Sequence, residues 1–314
     1  MMGNSVLRLE ETGRRMKRGQ GGAAATVRIG IHTSIAGRLE LAAERAAELG
    51  CDAFQIFSSS PRLWLQRSLN KIEAAAFRTR RQALRLAPLA IHDNYLINLA
   101  AGDPVLRARS IQAFRAELER ARGLEADYLI AHPGSAGPQD RDTALARVAD
   151  ALRQATRGFR VNGLRILLEN TSGQGSVLRA DLAELRALIR ACPELNLGVC
   201  LDTAHLFAAG YDIRTPDELE RTLETVRRTI GLERVAVIHT NDSKVGFGAR
   251  VDRHEHIGKG KIGLEAFRRL LHHPALAGKT FILETPIDRP QDDRRNLQTV
   301  RRLVGHARRR IKKR

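Results

Sequence analysis

Beginning at Arg28, eight short runs of mostly aliphatic and β-branched residues alternate with longer amphipathic stretches. The runs are RIGIH (28–32), AFQIF (53–57), LAIHD (89–93), YLIAH (128–132), RILLEN (165–170), LGVCLD (197–202), VAVIHTND (235–242) and TFILET (280–285). Runs of this length and composition predict strands, whereas RLELAAERAAELG and PVLRARSIQAFRAELERARGLE carry apolar residues at helical spacing. Strands that alternate with helices, with no second composition regime between them, predict a single α/β domain, a (β/α)8 TIM barrel over residues 28–286. A doubly wound open sheet is the main competing architecture. The 314 residues exceed a usual domain, but such barrels commonly reach this length as one unit, and a 43 % apolar content is ordinary for a sizeable core.

The formal net charge of +18 suggests a polyanionic partner, yet much of it lies at the ends. Residues 1–27 carry five basic and two acidic groups and read as a basic, disordered extension. Residues 287–314 carry eleven basic and three acidic groups and read as a C-terminal helix with a basic tail. That tail is either a nucleic-acid arm or a solvated helix end. The N-terminal stretch lacks the apolar segment of a secretory signal, and no run approaches the roughly 18 apolar residues of a membrane helix. The expected location is the cytoplasm, without membrane partners. Three widely spaced cysteines with no C-x-x-C pair argue against a disulfide framework and a thiolate zinc site. Any metal must then be held by imidazole and carboxylate.

The informative pattern is what ends the strands. His32, His92, His132, Glu169, Asp202, His239 and Glu284 end seven of the eight runs. In a barrel these positions share the C-terminal rim, where active sites are built. Acids clustered there could not all stay ionised without a counter-charge, and bound metal ions supply one. Two further segments add candidates. In LDTAHLFAAGYD, Asp202 is either a helix N-cap or a ligand, and His205 follows it by three residues. In VDRHEHIGKG (251–260), an extended backbone would put Asp252, His254 and His256 on one face, with Arg253 and Glu255 on the other. That stretch is either a charged surface loop or an Asp-x-His clip awaiting a third ligand.

With these residues assembled, the chain resembles the endonuclease IV family of apurinic/apyrimidinic endonucleases, from Arg28 to about Pro286. The resemblance rests on HDNYLINL (92–99), AHPGS (131–135), LENTSGQG (168–175), GVCLDTAHLFAAGYDIRTP (198–216), HTNDSK (239–244), GARVDRHEHIGKGKIG (248–263) and ILET (282–285). It implies a zinc-dependent DNA repair endonuclease of base excision repair with three Zn2+ per chain, Mn2+ being tolerable to such a ligand set. Its substrate would be double-stranded DNA containing abasic sites. Hydrolysis of the phosphodiester 5′ to the lesion by metal-bridged hydroxide would leave 3′-hydroxyl and 5′-deoxyribose phosphate ends. By resemblance, His92, His132 and Glu169 hold the first zinc. Glu169 bridges to a second, completed by Asp202, His239 and Glu284, while His205, Asp252 and His254 hold the third. Glu169 and Glu284 are the expected catalytic pair, with Glu284 also orienting the nucleophile. Arg62, Tyr95 and Leu96 are implied to fill the gap in the base stack, though Tyr95 and Leu96 read equally as core residues of an ordinary loop. The family more often has a Lys-Asn pair where Ser58–Ser60 stand, which puts local phosphate contacts in doubt. His32 is typical of the family but is not a ligand there. A monomer suits a protein that must bend one duplex. Two other readings compete: a sugar isomerase, which accounts for Glu169, Asp202, His239 and Glu284 but not the remaining ligands, and a catalytically dead nucleic-acid-binding barrel.

Overall fold

The structure, a computed structural model, describes residues 27–64, 68–159, 163–178 and 181–305. Most of the basic N-terminal extension and the end of the C-terminal tail lie outside the described residues. The elements run β1 (Arg28–His32), α1 (Glu40–Glu48), β2 (Ala53–Phe57), α2 (Lys71–Ala83), β3 (Leu89–His92), α3 (Pro104–Gly123), β4 (Tyr128–Ala131), α4 (Arg141–Thr156), β5 (Arg165–Glu169) and α5 (Leu182–Ala191). Then follow β6 (Gly198–Asp202), a short α6 (Thr203–Ala209), α7 (Pro216–Thr229), β7 (Val235–His239), β8 (Asp242–Ser243), β9 (His254–Glu255), α8 (Leu264–His272), β10 (Thr280–Leu283) and α9 (Asp292–Val304).

Strands β1 to β7 and β10 close into one barrel, each pairing in parallel with its neighbours. The (β/α)8 architecture is therefore the observed one, and the open sheet is excluded. The eighth predicted run is β10, because the excursion after β7 adds the small antiparallel pair β8–β9. VAVIHTND breaks after His239 rather than running on to residue 242. Helix α9 packs against β1 and α8, burying Leu297, Val300 and Leu303, so it serves as the barrel's last covering helix. Among the described residues no helix is long and apolar enough to cross a membrane.

Several helices start where a side chain can take up an otherwise unpaired backbone N–H. Asn70, Asp103, Asp140, Asp181 and Thr215 each accept from an amide in the first turn of α2, α3, α4, α5 and α7. The main apolar core lies between strands and helices and includes Phe54, Phe77, Phe114, Phe207, Phe267 and Phe281. A second, smaller cluster fills the barrel itself: Ala90, Ile130, Leu167, Cys200, Val237 and Ile282. Side chains repeat their direction every second residue along a strand. Two positions beyond these six stand His92, His132, Glu169, Asp202, His239 and Glu284. The packed plug is thus the floor of a polar mouth, and one strand period sets both.

Gly30 sits at the matching place on β1, and a Cβ there would lie 2.2 Å from the backbone oxygen of Ala53. Neither backbone can yield without opening the β1–β2 pairing. Gly30→Ala is expected to destabilise the chain by about 3 kcal/mol or more, an overpacking penalty at the upper end of the usual range, measured by urea unfolding. A midpoint within experimental error of the parent would refute this.

Candidate metal centre at the barrel mouth

His32, His92, Glu169, Asp202 and His239 are the final residues of β1, β3, β5, β6 and β7, while His132 and Glu284 directly follow β4 and β10. The strands therefore bring all seven to one mouth. Glu169 is at its centre and is fully buried. Its Oε2 lies 3.4 Å from His92 Nε2 and 3.3 Å from His132 Nε2. Its Oε1 lies 3.1 Å from His239 Nδ1 and 3.3 Å from His205 Nδ1. One carboxylate thus faces two groups of imidazole nitrogens, one with each oxygen. His92, His132 and Glu169 form one cluster of donor atoms within 4.8 Å of one another, and Glu169, Asp202, His239 and Glu284 form a second.

Asp202 is the N-cap of α6 and also lies in the donor cluster. Its Oδ1 accepts from the His205 amide at the start of α6, while Oδ2 accepts from Asn241 Nδ2 and faces His254 Nε2 at 3.7 Å. The one-turn step from Asp202 carries His205 back over the cavity. There its Nε2 meets Asp252 Oδ2 at 3.1 Å, and Asp252 Oδ1 lies 3.4 Å from His254 Nε2. The clip and its third partner therefore converge. His256 does not join them. Only residues 254–255 are extended as a strand, and His256 turns to Asp288 Oδ2 at 3.1 Å and to Asn296. The expectation that Asp252, His254 and His256 share a face is corrected for the third of them.

The hydrogen bonds suit this pocket to cations. Backbone carbonyls only accept, so the contacts of His92 Nδ1 with Asp93 O, His205 Nδ1 with Asn170 O and His254 Nδ1 with Glu284 O require a proton on each Nδ1. Each Nε2 is then left to face the cavity as a donor to metal. Among the described residues, Glu169 Oε2, His205 Nε2 and His254 Nε2 are buried atoms that face other groups of the site at 3.1–3.7 Å without a well-formed hydrogen bond. Such atoms are costly unless something of opposite charge occupies the space between them. Imidazole and carboxylate without thiolate fit zinc and tolerate manganese. Cys200 lies beneath Glu169 and His239, but burial, then the charges of Glu169, Glu284 and Asp202, push its thiol well up, so it stays protonated.

The protein's own charges report the same frustration. Burial pushes His92 down, and Glu169 more than reverses this, raising it to about 10. Burial opposes charge at Glu169 as well, but His239, His132 and His205 bring its carboxyl well below the ordinary range. Asp252 is held at about 2, where His205 and His254 outweigh partial burial. Imidazolium protons stand in for cations here, and a divalent ion would replace them.

Three residues of this framework escaped the sequence reading. Gln55 is fully buried inside β2. Its Oε1 accepts from His239 Nε2 at 2.9 Å, and its Nε2 donates to Glu284 Oε1 and lies 3.0 Å from His32 Nδ1. Asn170 accepts from the Asp202 amide and Asn241 from the Glu284 amide. Their one available signal is position: the two asparagines directly follow strand-end residues or lie two beyond them, and Gln55 is the polar residue within AFQIF.

At the edge of the mouth Tyr95 is 62 % exposed, with its ring 5.1 Å from Phe57 and 6.2 Å from His92. Arg62 is exposed and Leu96 half-buried, so Tyr95 is not a core residue. Ser58 turns inward, donating to Glu117 Oε2 at 2.5 Å and accepting from Arg120 Nε at 2.8 Å. It anchors the loop after β2 from below. Asn94 ties the same loop sideways, donating to Leu63 O at 2.8 Å, and the Tyr95 amide donates to Pro61 O at 3.1 Å. Arg62 and Tyr95 thus stand on one braced tip.

A parallel barrel closed over an apolar plug, with a mouth of imidazoles and carboxylates, defines the class: residues 43–308 match the family described as xylose isomerase-like TIM barrel. Among individual relatives, the probable endonuclease 4 of Solibacter usitatus is 48 % identical over 282 residues, covering 89 % of this chain and 97 % of that protein. The probable endonuclease 4 of Chloroflexus aurantiacus is 44 % identical over 283 residues, with 89 % and 99 % covered. The crystal structure of endonuclease IV from Thermus thermophilus superposes with a TM-score of 0.80 at 42 % identity, covering 89 % of this chain and all of that one. A D-psicose 3-epimerase has a TM-score of 0.66 at 17 % identity over 89 % of this chain and 100 % of that one, a likeness of fold alone. The chain belongs to the endonuclease IV family.

Proposed function

We propose that this nuclease uses three zinc ions to hydrolyse the phosphodiester 5′ to abasic sites in duplex DNA, as a monomer, leaving 3′-hydroxyl and 5′-deoxyribose phosphate ends. Membership of the endonuclease IV family makes it a DNA repair hydrolase. The observation that carries the finer reading is the convergence of nine donors on one cavity, with buried oxygen and nitrogen atoms among them that make no well-formed hydrogen bond. His92, His132 and Glu169 would hold one ion, Glu169, Asp202, His239 and Glu284 a second, and His205, Asp252 and His254 a third. When bound, zinc supplies Lewis acidity that lowers the pKa of water and neutralises charge on phosphate and leaving oxygens.

The chain's own groups prepare that chemistry. Glu169 would serve both of the first two positions, since its two oxygens face different imidazoles. Glu284 Oε2 stands 3.1 Å from His239, while Gln55 and His32 hold its other oxygen, so its direction is fixed before substrate arrives. The excursion after β7 exposes Lys244, Arg250, Arg253, Lys259 and Lys261, a basic rim suited to a polyanion. An abasic nucleotide has no base to unstack, so it swings from the duplex at lower cost than an intact one, and the cavity gains selectivity from that difference.

The deciding experiment is incision of two end-labelled duplexes, identical except for one abasic site. The zinc-loaded chain is expected to cut only the damaged strand, on the 5′ side, with a 3′-hydroxyl that a polymerase extends. Absence of cleavage by fully zinc-loaded protein would leave only a DNA-binding barrel. Arg62 and Tyr95 are assigned to the gap left by the displaced nucleotide. Tyr95→Ala is expected to raise KM about tenfold, in line with the value of one base–aromatic stack, with a smaller change in kcat. An unchanged KM would remove Tyr95 from the DNA interface.

A further inference from the structure

The run Gly258-Lys-Gly-Lys-Ile-Gly263 has the G-x-G-x-x-G spacing of a dinucleotide loop and directly precedes α8. Its occupant is the carboxylate of Asp242, a fully buried side chain. Its Oδ1 accepts from the amides of Ser243 at 2.8 Å and Ile262 at 2.9 Å. Its Oδ2 accepts from Gly258 at 2.9 Å, Gly260 at 3.1 Å and Gly263 at 3.3 Å. Convergent backbone amides form an anion-binding concavity, and here the anion is part of the chain. The glycines are needed for approach. A Cβ on Gly260 would lie 2.5 Å from Asp242 Oδ1 and 2.4 Å from Ser243 O, while Gly258 and Gly263 hold φ of +77° and +84°.

This knot closes the neck of the excursion that supplies Asp252 and His254. Asp242 pairs with Glu255 and Ser243 with His254, and the Lys244 and Lys261 amides donate to Arg253 O and Ser243 O. The first two ligand groups stand mainly on barrel strands, whereas two of the three ligands in the third group depend on this excursion. We infer that Asp242 is a positioning residue: its carboxylate, locked in the glycine-rich run, sets Asp252 and His254 opposite His205 before any metal arrives. The inference rests on the three-ion reading above.

Asp242→Asn keeps shape but replaces one acceptor oxygen with an NH2, so at least two of the five amides lose their partner. Gly260→Ala strikes the same knot from the other side. Both full-length variants and the parent are dialysed against buffered free zinc, and bound zinc is counted across a concentration series. The parent is expected to hold three ions. Each variant is expected to keep two at parental affinity and to bind the third at least about tenfold more weakly, the usual scale for losing a group that orients a ligand. Hydrogen exchange is measured on the unaltered chain, so it decides the matter even where a variant does not fold. The amides of Gly258, Gly260, Ile262 and Gly263 are expected to be protected equally with and without zinc. Parental affinity for all three ions in both folded variants would overturn the inference, as would protection that appears only with zinc. A parent that never binds three ions overturns the three-ion reading instead, and that result comes from the unaltered chain alone.

Discussion

Glu284→Gln is expected to lower kcat for abasic-site incision by about 10³-fold or more, roughly 4 kcal/mol of transition-state stabilisation, while folding and DNA binding persist. The substitution keeps volume and removes charge. Burial opposes a charged Glu284, yet His239, His32 and His92 hold its carboxyl below the ordinary range, so a full negative charge is lost. Gln55 already donates to Glu284 Oε1, so an amide there must either present oxygen to Gln55 and NH2 to His239 or set two NH2 groups against each other. The backbone is held separately, because the Glu284 amide donates to Asn241 Oδ1 at 2.8 Å. Unchanged far-UV dichroism and duplex affinity, with turnover near that of the parent, would remove Glu284 from the reaction.

Chelation is the second large effect. Stripping metal from the folded chain is expected to abolish incision, and added zinc to restore it as bound metal approaches three ions per chain. Activity that survives complete removal, or saturates with one ion bound, would contradict the assignment. The pH dependence follows from the cavity's charges. In the metal-free chain Glu169 holds the His92 imidazole at about 10, so at neutral pH a proton must leave before the ion binds. Apparent zinc affinity should therefore keep rising as pH climbs from neutrality toward that value, and titrations at several pH values would register the slope. An affinity that levels off near the ordinary imidazole value would mean that the proton assignment at His92 is wrong.

The strand-end donor residues are legible in the sequence because one physical rule governs them. A period of two along each strand fixes which residue reaches the plug, and the next one in phase reaches the mouth, so RILLEN and VAVIH already point to Glu169 and His239. The helices α1 and α3 are legible from their apolar spacing. The cluster of His205, Asp252 and His254 is less so, because it depends on how a long excursion folds back, and no local periodicity encodes that. His256 illustrates the difficulty: an extended backbone extrapolated beyond β9 points it the wrong way. Gln55 escapes for a different reason. A lone polar residue inside an apolar strand carries no sign of its direction, and only the closed barrel reveals that it faces His239 and Glu284. Ser58–Ser60 read as an altered DNA contact, yet the Ser58 hydroxyl is spent on Glu117 and Arg120 of α3.

The two-residue offset between plug and mouth has a consequence for assembly. A slip of one residue in any of these strands would exchange a donor for an aliphatic side chain and push a charged group among the covering helices. A wrongly registered barrel would then lack a complete donor set. On the three-zinc reading, zinc would act as a proofreader of the hydrogen-bond ladder, binding in full only to the one register that also buries the plug. Quality control of the fold and competence for repair are read from the same alignment of strands.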